Sequence, residues 1–212
     1  MVKLYVEGGG DSNTLKTACR AGFSEFLSKA GLKGKMPRIV ACGTRQNAYE
    51  SFCTAINSGE EALLLVDSES FVAASYQQEE PEKWKPWGHL QNRQGDQWDK
   101  PANASEEDCH LMVQCMEAWF LADRKTIKDF FGQGFNTNAL PAEKKQIENV
   151  VKDQIYQILT KATRNCKTKA GYSKGEHSFK LLARISPDQV TAACPWAKRF
   201  VDGAKKKGAS TD

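Results

Sequence analysis

A chain of 212 residues with 40% hydrophobic content can bury one sizeable core but not two large ones. No apolar stretch approaches the roughly 20 residues of a membrane span, and Met1-Val2-Lys3 leads into a strand-like run instead of a signal-peptide core. These features predict a cytoplasmic protein without membrane contact. The net charge of +4 is unevenly spread: residues 151–212 hold 13 Lys/Arg against 5 Asp/Glu, a net +8 that leaves the first 150 residues at −4. An acidic front and a basic back suit cations beside a polyanion. Seven cysteines, odd in number and without a regular framework, point to a reducing compartment, and Cys109, His110 and Cys115 match no zinc-ligand spacing.

In chain order, Val2, Leu4 and Val6 mark a first strand that ends in Glu7-Gly8-Gly9-Gly10-Asp11. Asp11 can cap a helix whose apolar residues, Leu15 through Ala30, recur at spacings of three and four until Gly31 and Gly34 stop it. Residues 38–42 read as a second strand after Pro37, residues 44–57 as a helix, and Ala62-Leu63-Leu64-Leu65-Val66 as a third strand ending in Asp67-Ser68-Glu69. The order β-α-β-α-β predicts a parallel sheet with right-handed crossovers.

Residues 70–108 break the pattern. Pro81, Pro86, Pro101, Trp84, Trp87 and Trp98 lie among polar residues without sustained periodicity, which predicts an inserted loop region. Its tryptophans suit a satellite core cluster or base stacking. Leu111 to Cys115 reads as a fourth strand running into Met116-Glu117-Ala118-Trp119, so Glu117 marks another strand-to-helix junction. After a turn region at 132–141 comes a predicted helix over 142–163, with Ile147, Val150, Val151, Ile155, Ile158 and Leu159 on one stripe. A polar hinge at 171–175 precedes two closing helices, 177–185 and 188–204, with Ser186-Pro187 as cap and first turn. The whole is expected to be one α/β domain over 1–204: a Rossmann-like, mostly parallel sheet flanked by helices, a helical basic part at 141–204, and a flexible tail at 205–212.

Glu7, Asp67, Glu69 and Glu117 each fall at or just beyond the C-terminal end of a predicted strand, the edge where open α/β sheets bind ligands. Carboxylates crowded together raise one another's pKa unless a cation sits among them. A hard ion that takes oxygen ligands, Mg²⁺ or Mn²⁺, fits that set, and such ions assist phosphodiester hydrolysis. Gly8 and Gly9 allow close approach of backbone or phosphate. Gly8-Gly9-Gly10 has neither P-loop nor dinucleotide-fingerprint spacing, which excludes the common NTPase and dehydrogenase loops. In the basic part, Lys169, Lys174 and Lys180 suit a phosphate-binding groove, together with Arg45 beyond the second strand. His177 suits either proton donation to a leaving oxygen or a hydrogen-bonded structural role.

Val6-Glu7-Gly8-Gly9-Gly10-Asp11 and Leu65-Val66-Asp67-Ser68-Glu69 together resemble the E-G-x-x-D and D-x-D signatures of Toprim domains, found in topoisomerases, primases and OLD-type nucleases. The block Met112 to Asp123 and the segment Lys174 to Lys180 resemble a bacterial group of small Toprim-like proteins, domain of unknown function 4276. The resemblance covers residues 1 to about 185. It implies a Toprim/Rossmann-like fold and a Mg²⁺-dependent nuclease of DNA or RNA, with Glu7 as general base or metal-positioning acid and Asp67 and Glu69 as metal ligands; Glu117 is expected as a further catalytic residue from its place at a strand end. Glu69 stands where Toprim domains usually carry a second Asp. The resemblance also implies a role in anti-phage defence beside an SMC-like or AAA-type ATPase; a homo-oligomer is a separate option that the sequence leaves open. The rival reading is a non-catalytic subunit that binds or regulates such an ATPase.

Overall fold

The computed structural model describes residues 1–78, 80–142 and 146–209. Lys3–Gly9 (β1), Arg38–Gly43 (β2), Ala62–Asp67 (β3) and Cys109–Met112 (β4) form a single sheet in the order β2-β1-β3-β4, with every neighbouring pair parallel. Strands wrapped on both faces need near-continuous apolar sequence, and all six residues of β3 are buried. Successive side chains divide between two cores. Leu4, Val6, Leu63 and Leu65 face one packed by Asn13–Leu27 (α1), whereas Tyr5, Leu64 and Val66 face another packed by Arg45–Asn57 (α2).

Because β2 and β3 lie on opposite sides of β1, the direction of winding reverses between β1 and β3. A crevice opens at the carboxyl ends of two such strands, the position where doubly wound sheets bind ligands. Val6 pairs with Leu65, so Glu7 and Asp67 both project past that pair into the crevice. The turn after β1 depends on glycine. Gly9 has φ +88°, and a Cβ there would stand 2.7 Å from the Lys16 backbone; Gly43 at the end of β2 has φ +84° and would drive a Cβ to 2.6 Å from the Gly10 carbonyl.

The insert packs down on the α2 face. It contains Pro86–Asn92 (α3) and short turns, and Trp84, Trp87 and Trp98 are all buried in the second core. Trp98 stacks on Tyr49 with ring centroids 4.6 Å apart, and Trp84 lies 4.7 Å from Trp196. The tryptophans therefore make a satellite core, and base stacking by them is ruled out by their burial.

Several expected boundaries move. The fourth strand is Cys109–Met112, not 111–115, because residues beyond Met112 are drawn across the end of β3: the Ser68 hydroxyl accepts the Gln114 N–H at 2.7 Å and Asp67 Oδ1 accepts the Met116 N–H at 2.8 Å. The chain continues through Ala118–Ala122 (α4) and Arg124–Phe131 (α5). The helix expected over 142–163 begins only at Lys152 (α6, Lys152–Thr163), after a short turn at Ile147–Asn149 and extended Val150 and Val151; its expected residues 143–145 lie outside the described residues. Glu148 holds that turn against the C-terminal part by accepting the Trp196 N–H at 3.0 Å.

The closing segment is three helices instead of two: Lys174–Leu182 (α7), Pro187–Ala193 (α8) and Pro195–Ala209 (α9). Cys194 is extended, as a residue before proline prefers, and this splits the expected 188–204 helix. The tail expected to be flexible is helical through Ala209, because Lys206 pairs with Glu107 and Lys207 with Asp108 while Ala204 is buried; residues 210–212 lie outside the described residues. Among the described residues no helix is long and apolar enough to cross a membrane.

Burial lifts the Glu148 carboxyl to about 8, even though the N–H groups of Trp196 and Ala197 pull the other way. The folded state thus holds a proton that the unfolded chain releases near 4.5, so stability from this group is present at acid pH and declines as pH rises toward 8. Glu148→Gln is expected to gain on wild type by about 5 °C in melting temperature between pH 5 and pH 8.5. Thermal melts across that range check it, and a constant difference would contradict the assignment.

Candidate metal centre

Three carboxylates converge in the crevice: one oxygen each of Glu7, Asp67 and Glu69 lies within 4.8 Å of the others. β1 delivers Glu7, whose Oε2 accepts the Asp67 backbone N–H at 3.0 Å and so couples the two strand ends directly. Asp67 is 3% exposed. Burial, then the charges of Glu7 and Glu117, hold its carboxyl well above the usual range, and burial raises Glu7 as well. Glu69 is delivered by a left-handed residue (φ +63°) whose N–H bonds to the carbonyl of Gln114, itself left-handed at φ +65°. Two non-glycine residues in that conformation beside the acids are strain held in place by the surrounding bonds.

Glu117 stands apart from the trio. It is wholly buried just before α4, where Oε2 accepts from Tyr156 Oη at 3.1 Å and Oε1 accepts from Tyr172 Oη at 3.1 Å and Ser178 Oγ at 3.2 Å. It lines the same cavity as Glu7 and Asp67, a space of about 320 Å³.

Two lysines enter from the C-terminal helices. Lys152 Nζ, in the first turn of α6, is 2.5 Å from Glu69 Oε1 and 3.9 Å from Asp67 Oδ2. Lys174 Nζ, in the first turn of α7, lies 3.9 Å from Glu117 Oε1 and 3.3 Å from Tyr156 Oη. Arg45 completes the cationic side. Its Nε donates to the Asp67 carbonyl at 3.0 Å and lies 3.5 Å from Glu7, its terminal nitrogens grip Asp96, and its guanidinium lies 4.8 Å from the Trp98 ring centre.

Of the residues expected from sequence, Glu7, Asp67, Glu69, Glu117, Arg45 and Lys174 therefore meet at one place. Arg45 is committed to carboxylates, so its role is to brace the acids. His177 faces away: it is buried, its ring packs on Phe130 and Phe131, and its Nδ1 accepts the Ser173 N–H at 3.0 Å. Burial first, then Lys180 and Lys169, lowers its pKa against the pull of Glu176, whose Oε1 lies 3.6 Å from Nε2, and His177 does not line the crevice cavity. Lys169 lies over the Phe130 ring, and neither it nor Lys180 lines the cavity.

Sequence reasoning missed Lys152, Tyr156, Tyr172, Ser178 and Asp96. A usable signal existed: Lys152 and Tyr156, like Lys174 and Ser178, are spaced i, i+4, which puts each pair on one helix face. An all-carboxylate donor set suits a hard divalent cation such as Mg²⁺ or Mn²⁺ far better than a thiophilic metal. No curated protein and no solved structure matches the chain. The family described as domain of unknown function DUF4276 matches residues 6–204, nearly the whole sequence, and the chain belongs to that family.

Proposed function

We propose that the protein is a Toprim-like, Mg²⁺- or Mn²⁺-dependent nuclease that hydrolyses phosphodiester bonds in DNA or RNA, acting in anti-phage defence with an SMC-like or AAA-type ATPase. The observation that carries this reading is the convergence of Glu7, Asp67 and Glu69 at the winding reversal of the sheet, with their oxygens within 4.8 Å. A divalent ion held by Asp67 and Glu69 would polarise the phosphate and favour its attack by water. Glu7, whose carboxylate lies beside theirs in the cluster, is placed to take the proton of the attacking water. Lys174, exposed above Glu117, is suited to a phosphate oxygen. Glu117 orients the Tyr156, Tyr172 and Ser178 hydroxyls and adds to the negative field at Asp67.

The test is incubation of the purified protein with plasmid and total RNA, with Mg²⁺, Mn²⁺ or chelator, alongside Glu7→Gln. Metal-dependent cleavage that falls about 100-fold or more in the variant is expected, a typical loss for a proton-transfer group. Cleavage unchanged in Glu7→Gln, or none with metal bound, would overturn the reading.

Lys152 and Arg45 already offset the acids without a metal, and this favours a second reading, a non-catalytic subunit that docks on the ATPase. Lys152→Met separates the two. Removing a positive charge beside Glu69 and Asp67 is expected to tighten Mn²⁺ binding about tenfold, measured by titration calorimetry. No Mn²⁺ binding by either protein would leave the subunit reading.

A further inference from the structure

The cavity beside the acids is larger than a phosphodiester needs, and part of its wall is apolar. Leu15 from the first turn of α1, Met112 and Met116 from either end of the loop after β4, and Phe179 from α7 line it together with Glu7, Asp67 and Glu117, with Met112 pairing with Asp67 across the sheet and the Met116 N–H bonded to Asp67 Oδ1. About 320 Å³ is at the lower end of small-molecule pockets, a fit for one flat heterocycle attached to the phosphate at the acids. Gly8 lets the chain pack tightly at the edge of this cavity: a Cβ there would come within 3.1 Å of the Phe179 ring and 3.2 Å of Cys19 Sγ. The apolar side chains that line it offer no group with which to read base identity, and Ser178 Oγ is already bonded to Glu117 and Tyr172.

We infer that this site acts on an unpaired nucleotide, whose base enters the apolar cavity while its phosphate meets the acids and Lys174. This rests on the nuclease reading above and narrows its substrate to single-stranded or locally unpaired nucleic acid. A paired base is held in its stack and cannot enter the cavity without the cost of unstacking. Contact of the base with Phe179 and the thioethers is tolerant of sequence, because every base offers a π face. Cleavage is therefore selective for strandedness and nearly indifferent to sequence.

The experiment compares cleavage, with Mn²⁺, of one end-labelled oligonucleotide in three forms, made both as DNA and as RNA: single-stranded, fully paired, and single-stranded with one central abasic residue. The single strand is expected to be cut at least tenfold faster than the duplex, with a loss of about tenfold confined to the linkages flanking the abasic residue, as for one lost stacking contact. Leu15→Trp, which fills the cavity without touching a carboxylate, is expected to lower single-strand cleavage about tenfold and leave the Mn²⁺-induced rise in melting temperature intact. Equal cutting of duplex and single strand, or abasic linkages cut as fast as intact ones, would overturn the base-pocket proposal and leave the nuclease standing. No cutting of any form would overturn both.

Discussion

Asp67→Asn is expected to abolish the stabilisation that Mg²⁺ gives the wild-type protein and, without metal, to melt higher than wild type at pH 8. Asn keeps the shape of the side chain and its Oδ1 can still accept the Met116 N–H. What it removes is a charge that burial, Glu7 and Glu117 all oppose. The sign follows from proton binding. The Asp67 and Glu7 carboxyl groups ordinarily titrate near 3.8 and 4.5 and are raised in the fold, so the folded state binds more protons than the unfolded chain above those values. Stability from these groups is full at acid pH and is lost as pH rises through and above that range. Wild type and variant should thus melt at similar temperatures near pH 4, with the variant ahead by about 2–6 °C at pH 8, corresponding to about 1–2 kcal/mol in a chain of this size. Saturating Mg²⁺ should raise wild type by an amount matching about 2–3 kcal/mol at a hundredfold excess over its dissociation constant, and the variant not at all. Differential scanning fluorimetry at both pH values, with and without Mg²⁺, measures both effects. A variant that still responds to Mg²⁺ would remove Asp67 from the metal centre.

Glu117→Ala is expected to cost about 3 kcal/mol, whereas Glu117→Gln should cost less than about 1 kcal/mol. Glu117 is the common acceptor for Tyr156, Tyr172 and Ser178, which come from α6, the segment before α7, and α7. Truncation leaves those hydroxyls facing a buried gap, and an unsatisfied buried polar group costs more than a hydrogen bond contributes. A glutamine amide can remain within the network, because each hydroxyl both donates and accepts and can rotate to suit it. Urea unfolding at neutral pH separates the two substitutions. If both were equally destabilising, charge and not hydrogen bonding would be the basis of Glu117's structural role.

The core of the fold was legible because it rests on local patterns. Continuous apolar runs in β1 and β3, broken by Gly8-Gly9-Gly10 and by Asp67-Ser68-Glu69, identified two buried parallel strands and put Glu7, Asp67 and Glu69 at their ends. What stayed hidden depends on distant partners. Glu117 was visible as a junction residue, but the hydroxyls that enclose it lie 39 to 61 positions further along. The last expected residues of β4 leave the sheet because side chains of Asp67 and Ser68 take their backbone groups, a competition that apolar periodicity does not register. The tail reads as solvated lysines until Glu107 and Asp108 are brought alongside it. His177 looked like a candidate acid because sequence does not reveal the Phe130 and Phe131 rings that enclose it.

Arg45 spans two parts of the molecule that differ in sequence character: its Nε side touches Glu7 and the Asp67 carbonyl, and its terminal nitrogens are held by Asp96 from within the insert, under the plane of Trp98. Asp96 is itself almost fully enclosed, its side chain 1% exposed, and is also held by Arg93. The 70–108 segment is therefore not a detachable decoration. A shortened chain, or a chimera that grafts another insert onto this sheet, would need its own counterpart to Asp96 and Trp98; without one, the guanidinium that braces Glu7 and the end of β3 loses the partners that fix it.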